Sequence, residues 1–554
     1  GDETARALVT NDDIGAFLAA ASAVAAKDPA NRAKLEAEMF RATQLMGSGV
    51  ADQAIAHASA RLAAGDPAIA ALVRDEQEAE HDRDAARLRL AAEQAKPIEE
   101  RGSILENQLA KDIDAASAKV AALQQKLQQS FPAYASFASP QPAELAALQK
   151  QLAPDEAFVS FTIGRESAYL LVVRADRLRA YRLQTTEVAL TQAVNDLRKA
   201  FVPRLGAVPA FDLRLANTLY RQLLGPAEAD LAGVRHLAAA PSGALASLPL
   251  ALLVTAPAAP NGYSSAEWLL RRMAISEVPS PRAFIELRTA RAEAKPAPRP
   301  FLGVGNPVFA GAAAAQGQAS GLDRLAQSCR EGGAVSPALI RALAPLPETA
   351  DEVRRVGQRL NADPASILLG GAASEANLRR QALGDYNVLY FATHGLLPGE
   401  LRCQSEPGLA LTPPSGTSAS PADDGLLEAS EIARLKLNAE LVVLSACNTG
   451  AGGGRLGGES LSGLADAFFH AGARTLVVTH WQVSTNAAVS LMTGFFDRLG
   501  PRLGNGIAQS LREAQLVLAG QPQTAHPFYW AAFTVVGDGG GRAPGRQSSK
   551  AVSE

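Results

Sequence analysis

From residue 301 to residue 537 the sequence repeats one pattern: a short, continuously apolar run, a helical stretch, then another apolar run. The runs are FLGVG (301–305), SILLG (366–370), NVLYFAT (387–393), ELVVLSA (440–446), RTLVVTH (474–480) and WAAFTVVG (530–537). Helical patterns fall between most of them, at 348–360, 374–383, 459–471, 485–499 and 505–519. A strand that is apolar on both faces has to be covered on both faces, and parallel neighbours need long crossovers. The alternation therefore predicts an α/β domain over 276–540, a mainly parallel sheet flanked by helices. Two irregular inserts interrupt it, at 308–345 and 400–425. Long inserts of this kind are usually functional loops or disordered segments.

A second α/β unit is expected over 155–275. AFVSFTI, SAYLLVVR and LRAYRL read as strands, with Gly164-Arg165-Glu166 as the turn between the first two. Helical patterns at 188–202 and 211–224 and the apolar HLAAAP follow. Residues 1 to about 150 have no strand signal. Asp66-Pro67 opens one long helix as N-cap and first-turn proline. Leu105, Leu109, Ile113, Val120, Leu123 and Leu127 lie at helical spacing after Pro97. Together they predict a helical hairpin over 65–135, after N-terminal helices over 1–64 that could form a degenerate repeat. The Gly-, Ser- and Arg-rich tail, 541–554, is expected to be disordered.

The 554 residues carry 53 basic and 56 acidic side chains, a net charge of −3, with no basic stripe, which argues against nucleic-acid binding. Apolar stretches such as LPLALLV (248–254) are too short to span a bilayer. Three cysteines, Cys329, Cys403 and Cys447, make neither a disulfide framework nor a metal-ligand spacing. A reducing, cytoplasmic setting fits that usage, and no cofactor or metal is implied.

Two of the apolar runs end on reactive side chains: one leads to His394-Gly395, the other to Cys447. In open parallel sheets, functional residues collect beyond the carboxyl ends of the strands. A thiol needs a base to become thiolate, and a histidine can act first as base and then as acid to a leaving amine. Gly395 lets a carbonyl approach the backbone, so the N–H groups of Gly395 and Cys447 form a candidate oxyanion hole. The reaction class is peptide-bond hydrolysis. Taken singly, each residue has a bland alternative, a satisfied strand-end histidine and a small buried thiol; the pairing outweighs both. Cys329 and Cys403 read as incidental thiols, and His470 and His526 as packing residues. The glycine-rich 450–460 stretch lacks the Gly-Lys-Ser/Thr ending of a phosphate loop.

FATHG with VVLSACNTG resembles the CHAT family of caspase-like cysteine peptidases, grouped with caspases, separases and gingipains. FLGVGNPVF, LAPLPETADEV, DDGLLEASEIARLKLNAELVVLSACNTG, GLADAFFHAGARTLVVTHWQV, HPFYWAAFTVVGD and AAPSGALASLPLALL share the likeness, which runs from about 65 to 540. In caspases the histidine precedes the cysteine by about 50 residues, and here by 53. The resemblance implies a caspase-like fold in two halves, with 155–275 as the half without a dyad. It also implies Cys447 as nucleophile, His394 as base and acid, and Gly395 with Cys447 as oxyanion hole. Many relatives carry acids just after Trp-x-Val; here the stretch is Trp481-Gln482-Val483-Ser484-Thr485. Asp423, Asp424, Glu428, His480, Trp481 and Ser484 are candidates for substrate contact. Relatives are often regulated by protein partners and act in bacterial signalling or defence, some paired with gasdermin-like pore-formers; the resemblance thus implies such a protein substrate and an activating partner at the N-terminal helices as expectations. The alternative is a silent scaffold that binds proteins without cutting them. Self-cleavage, where it occurs, is expected within 308–345 or 400–425.

Overall fold

The computed structural model describes residues 11–45, 67–94, 102–130, 142–204, 207–293, 295–310, 335–398, 400, 401, 404, 406–414, 423–446, 463–481, 485–500, 503 and 506–539. The chain divides into two compact units: Gly1–Asp52 with Pro142–Glu554, and Gln53–Gln141. The elements of the larger unit begin with α1 (Asn11–Lys27) and α2 (Arg32–Ala42). The smaller unit consists of α3 (Pro67–Gln94) and α4 (Ser103–Ser130), two helices of equal length. Val73 packs on Leu127, and Ala79 on Val120 and Leu123. Gln124 Nε2 donates to the buried Glu76 Oε1 at 2.8 Å. Leu105, which the helical spacing places on the packed face, is instead 47% exposed.

In the larger unit the chain continues through α5 (Leu145–Gln151), β1 (Glu156–Ile163), β2 (Ala168–Val173), β3 (Leu178–Leu183), α6 (Glu187–Arg198), α7 (Leu213–Leu223), β4 (His236–Ala240) and β5 (Ala274–Glu277). Then come α8 (Pro281–Glu293), β6 (Arg299–Gly305), α9 (Glu348–Arg359), β7 (Ile367–Leu369), α10 (Glu375–Arg379) and β8 (Tyr386–Ala392). Three short strands follow, β9 (Gly395–Leu396), β10 (Gly408–Ala410) and β11 (Leu426–Glu428), with α11 (Ala429–Ala433) behind them. The last part is β12 (Leu441–Leu444), α12 (Gly463–Ala471), β13 (Thr475–Thr479), α13 (Thr485–Leu499), α14 (Ile507–Gly520) and β14 (Phe533–Gly537).

Eleven of the strands form one mixed sheet in the order β3-β2-β1-β4-β5-β14-β13-β12-β8-β6-β7. The two expected halves thus share a single sheet, joined where β5 meets β14. β1, β2 and β3 form an antiparallel meander. β6, β7, β8, β12 and β13 are parallel neighbours, and β14 runs antiparallel to β13.

β8 explains why such strands read as unbroken apolar runs. Tyr390 reaches Phe496 of α13 on one face, with ring centroids 5.9 Å apart, while its neighbour Phe391 reaches Phe468 of α12 on the other, at 5.5 Å. Both rings are fully buried, each contributing about 2–3 kcal/mol of apolar burial. On the first half, α6 and α7 cover one face. Ile14, Leu18, Met39 and Phe40 of α1 and α2 cover the other, against Phe158, Tyr169 and Leu171. This part of the N-terminal helical region therefore belongs to the sheet's own core. No helix among the described residues is long and apolar enough to cross a membrane.

β5 hides a titratable group in that core. Glu277 is 3% exposed and lines a small cavity with Leu250, Leu270, Ile275, Phe533 and Val535. Burial pushes its carboxyl up to about 8 from an ordinary 4.5. A raised folded-state value means the protonated acid is the folded form. Its stabilisation is complete below pH 4.5 and is lost as pH rises to 8. Glu277→Gln keeps the shape without the proton equilibrium. It should raise stability near pH 7.5 by on the order of 3 kcal/mol, at about 1.4 kcal/mol per pKa unit, and by little at pH 4.5. Urea unfolding at the two pH values measures this, and a gain equal at both would refute it.

Candidate active site

The carboxyl ends of β8, β12 and β13 lie side by side. Leu441 to Leu444 of β12 pair with Val388 to Phe391 of β8, and Val442 and Val443 with Leu476 and Val477 of β13. His394 stands just past β8, at its bend into the small sheet β11-β10-β9. The bend is pinned twice. Thr393 Oγ1 donates to the Ala410 carbonyl, and Ala410 N–H donates back to the His394 carbonyl at 2.9 Å. Gly395 opens β9 opposite Leu409.

The imidazole is held as well. Its Nε2 lies 2.8 Å from the Ala344 carbonyl, and its ring centroid 5.5 Å from that of Phe309. A carbonyl only accepts, so Nε2 carries the proton of the neutral ring and Nδ1 is left as the base. Nδ1 has no hydrogen-bond partner among the described residues. Phe309 and Ala344 sit near the two ends of the 308–345 insert, so that insert supports the histidine. Composition carried no signal for this role; only the insert's position between β6 and α9 hinted at it.

Cys447, like Cys329 and Cys403, lies outside the described residues, as does Ser484. The strand leading to Cys447 is described as far as Ala446. Ser445 N–H donates to the Phe391 carbonyl at 2.9 Å, which ties the end of β12 to the end of β8. Ser445 Oγ donates to Glu352 Oε1 at 2.9 Å, and the same oxygen accepts from the Tyr390 hydroxyl. Burial raises the Glu352 carboxyl to about 6, against the hydrogen bonds from Tyr390 and Ser445. Sequence reasoning missed Glu352, although a signal existed. It falls on the buried stripe Thr349, Val353 and Val356 of α9, where a charged residue needs partners.

Several candidates for substrate contact serve packing or turns instead. Asp424 is 4% exposed, and its carboxylate accepts from its own turn's Leu426 N–H at 2.9 Å. That turn is clamped by Glu375, which accepts from Asp424 and Gly425 N–H at 3.0 and 2.8 Å. Glu428 is the N-cap of α11, and Glu431 Oε2 accepts from its N–H at 3.1 Å. Trp481 stacks on Phe201 at 3.8 Å and donates to the Phe528 carbonyl at 3.1 Å, in the packing between the sheet's two halves. His480 is buried, and neither ring nitrogen has a partner among the described residues. Burial, with the charge of Arg198, pushes it down to about 3 and keeps it neutral. Asp423 alone of these is half-buried with no assigned structural duty. His526 accepts from Phe528 N–H at 3.1 Å, a capping role. No cluster of metal-ligating side chains occurs among the described residues.

The CHAT domain model matches residues 213–538. Tetratricopeptide repeat protein 28 of Mus musculus is 27% identical over 223 residues, covering 35% of this chain. Its Homo sapiens counterpart is 25% identical over 223 residues, again covering 35%. The matched region spans only 9% and 8% of those relatives' lengths. Among solved structures, the Saccharomyces cerevisiae separase–securin complex is similar over 74% of this chain and 31% of that one, at 9% identity and a TM-score of 0.42. The Arg-specific cysteine proteinase gingipain R is similar over 64% of this chain and 75% of that one, at 8% identity and a TM-score of 0.32.

Proposed function

The chain belongs to the CHAT domain family, and from that premise we propose that it is a cysteine endopeptidase using a His394–Cys447 dyad. The observation that carries the proposal is the state of His394. Its Nε2 is spent on a backbone carbonyl and its Nδ1 has no partner among the described residues, which is how a general base is presented. The end of β12 is also tied to the end of β8, with Leu444 opposite Phe391 and Ser445 N–H donating to the Phe391 carbonyl. In the proposed reaction Nδ1 takes the thiol proton and the thiolate attacks the scissile carbonyl. Backbone N–H groups at Gly395 and Cys447 receive the oxyanion, and the protonated ring gives its proton to the leaving amine. Water then hydrolyses the thioester with the same base. A protein substrate, such as a gasdermin-like pore-former, and an activating partner at the N-terminal helices complete the proposal.

The test uses the purified protein and its Cys447→Ala variant, each incubated with a cell protein extract, with new N-termini mapped by mass spectrometry. Cuts made by the first and absent from the second are the expected result, and the residue before each cut reports the specificity. Identical maps would favour a non-cleaving scaffold.

A further inference from the structure

Beneath the ends of β8 and β12, two hydroxyls converge on one oxygen of a buried carboxylate. Glu352 is 1% exposed and Tyr390 is fully buried. Glu352 Oε1 accepts from the Tyr390 hydroxyl and from Ser445 Oγ. Its other oxygen has no hydrogen bond among the described residues. Tyr390 lies four residues before His394, and Ser445 two residues before Cys447. The helix carrying Glu352 is itself fixed against the sheet, with Val353 and Val356 in the same core as Phe301 and Tyr390. One carboxylate thus ties a rigid helix to both strands that lead to the dyad.

The choice of residue is informative. Tyr390 needs only one acceptor, and the half-buried Ser445 could turn its hydroxyl to water. An apolar residue at 352 beside phenylalanine at 390 would pack this site at less desolvation cost. A buried carboxylate shared by two strands instead restricts how the strand ends can move against each other. Hydrogen bonds that share one buried acceptor polarise one another, so such a network can be worth more than its separate bonds.

We propose that Glu352 is a positioning residue of the peptidase site: it locks the ends of β8 and β12 in the alignment that sets His394 against Cys447. The inference rests on the dyad reading above. Glu352 touches neither substrate nor reacting atoms and acts through Tyr390 and Ser445. Its loss should therefore lower kcat and leave KM nearly unchanged, because a misplacement of about 1 Å at the reacting atoms costs up to roughly 100-fold.

The experiment measures iodoacetamide alkylation of Cys447 by peptide mass spectrometry, with Cys329 and Cys403 in the same sample as internal references. The full chain is compared with Glu352→Ala, Glu352→Gln, Ser445→Ala, His394→Ala and the Glu352→Ala/Ser445→Ala pair. Glu352→Ala is expected to slow Cys447 about tenfold or more relative to the references. Ser445→Ala should slow it similarly, and the pair no more than either alone, since both break one link. Glu352→Gln keeps an oxygen acceptor and should recover most of the lost rate, which a general loss of folding would not allow. Unchanged relative alkylation in both Glu352→Ala and Ser445→Ala overturns the inference, as does an additive pair. His394→Ala separates the two levels. If it leaves Cys447 alkylation untouched, the dyad reading falls and the inference with it. If it slows Cys447 while Glu352→Ala does not, only the positioning role falls.

Discussion

If the proposed dyad operates, replacing His394 with alanine should lower kcat/KM on a cleaved peptide by roughly 10³-fold, within the range that general acid–base groups supply. The reason is specific to how the ring is held. The Ala344 carbonyl fixes the proton on Nε2, so the free ring always offers Nδ1 and no tautomer search precedes attack. Phe309, 5.5 Å away, restricts rotation of the ring. Phe309→Ala should leave the base in place and its orientation loose, a loss of about tenfold to 100-fold carried by kcat. The ordering is the test. A Phe309→Ala loss as large as that of His394→Ala would mean the insert does more than orient the ring. A His394→Ala variant with wild-type kinetics would leave the dyad without support.

Much of this arrangement was legible in the sequence because burial on two faces leaves a plain trace. β6, β8, β12 and β13 had to be apolar throughout, and His394 was legible as the side chain just past the end of β8. The hairpin helices were legible from the Asp66-Pro67 start of the first and the apolar spacing of the second. β5 was not. Its four residues, AISE, include a serine and a glutamate, and a buried neutral acid reads as an exposed charged one. The small sheet of β9, β10 and β11 was missed because strands of two or three residues have no periodicity to detect. The burial of Asp424 and Trp481, both candidates for substrate contact, was not legible for a related reason. Asp424 lies just before β11 and Trp481 just after β13, but the turn at 424–425 and the stack on Phe201 direct their side chains inward. Proximity along the chain to a strand end does not decide which way a side chain faces.

Arg288→Ala should destabilise the larger unit by about 3–5 kcal/mol, the range for stranding one member of a buried ion pair. Arg288 is held on every side. Its guanidinium makes a bidentate pair with Glu156, 2.7 Å to each oxygen, and lies 4.3 Å from the centroid of the Phe284 ring. It also donates to the Gln151 carbonyl and lies 3.8 Å from Asp538. From Asp538 the network passes to Arg291 at 3.2 Å, from Arg291 to Glu440 at 2.8 Å, and from Glu440 to Arg474 at 3.0 Å. It therefore links the start of β1 in the first half to the starts of β12 and β13 in the second. The cost of Arg288→Ala comes mainly from Glu156, left buried with His236 as its remaining side-chain partner. Burial pushes the Glu156 carboxyl up, but the bonds from Arg288 and His236 outweigh it and hold the group well below the usual carboxylate range. A depressed folded-state value means its stabilisation is present above the unfolded value of about 4.5 and is lost as pH falls through the folded one. The gap between wild type and Arg288→Ala in urea unfolding should therefore be widest at neutral pH and narrow below pH 4.5. Removing both charges, as Arg288→Met with Glu156→Leu, strands neither partner of the pair and should cost less than Arg288→Ala alone. A double replacement as costly as the single one, or a gap that does not change with pH, would mean the network stabilises by packing and not by charge.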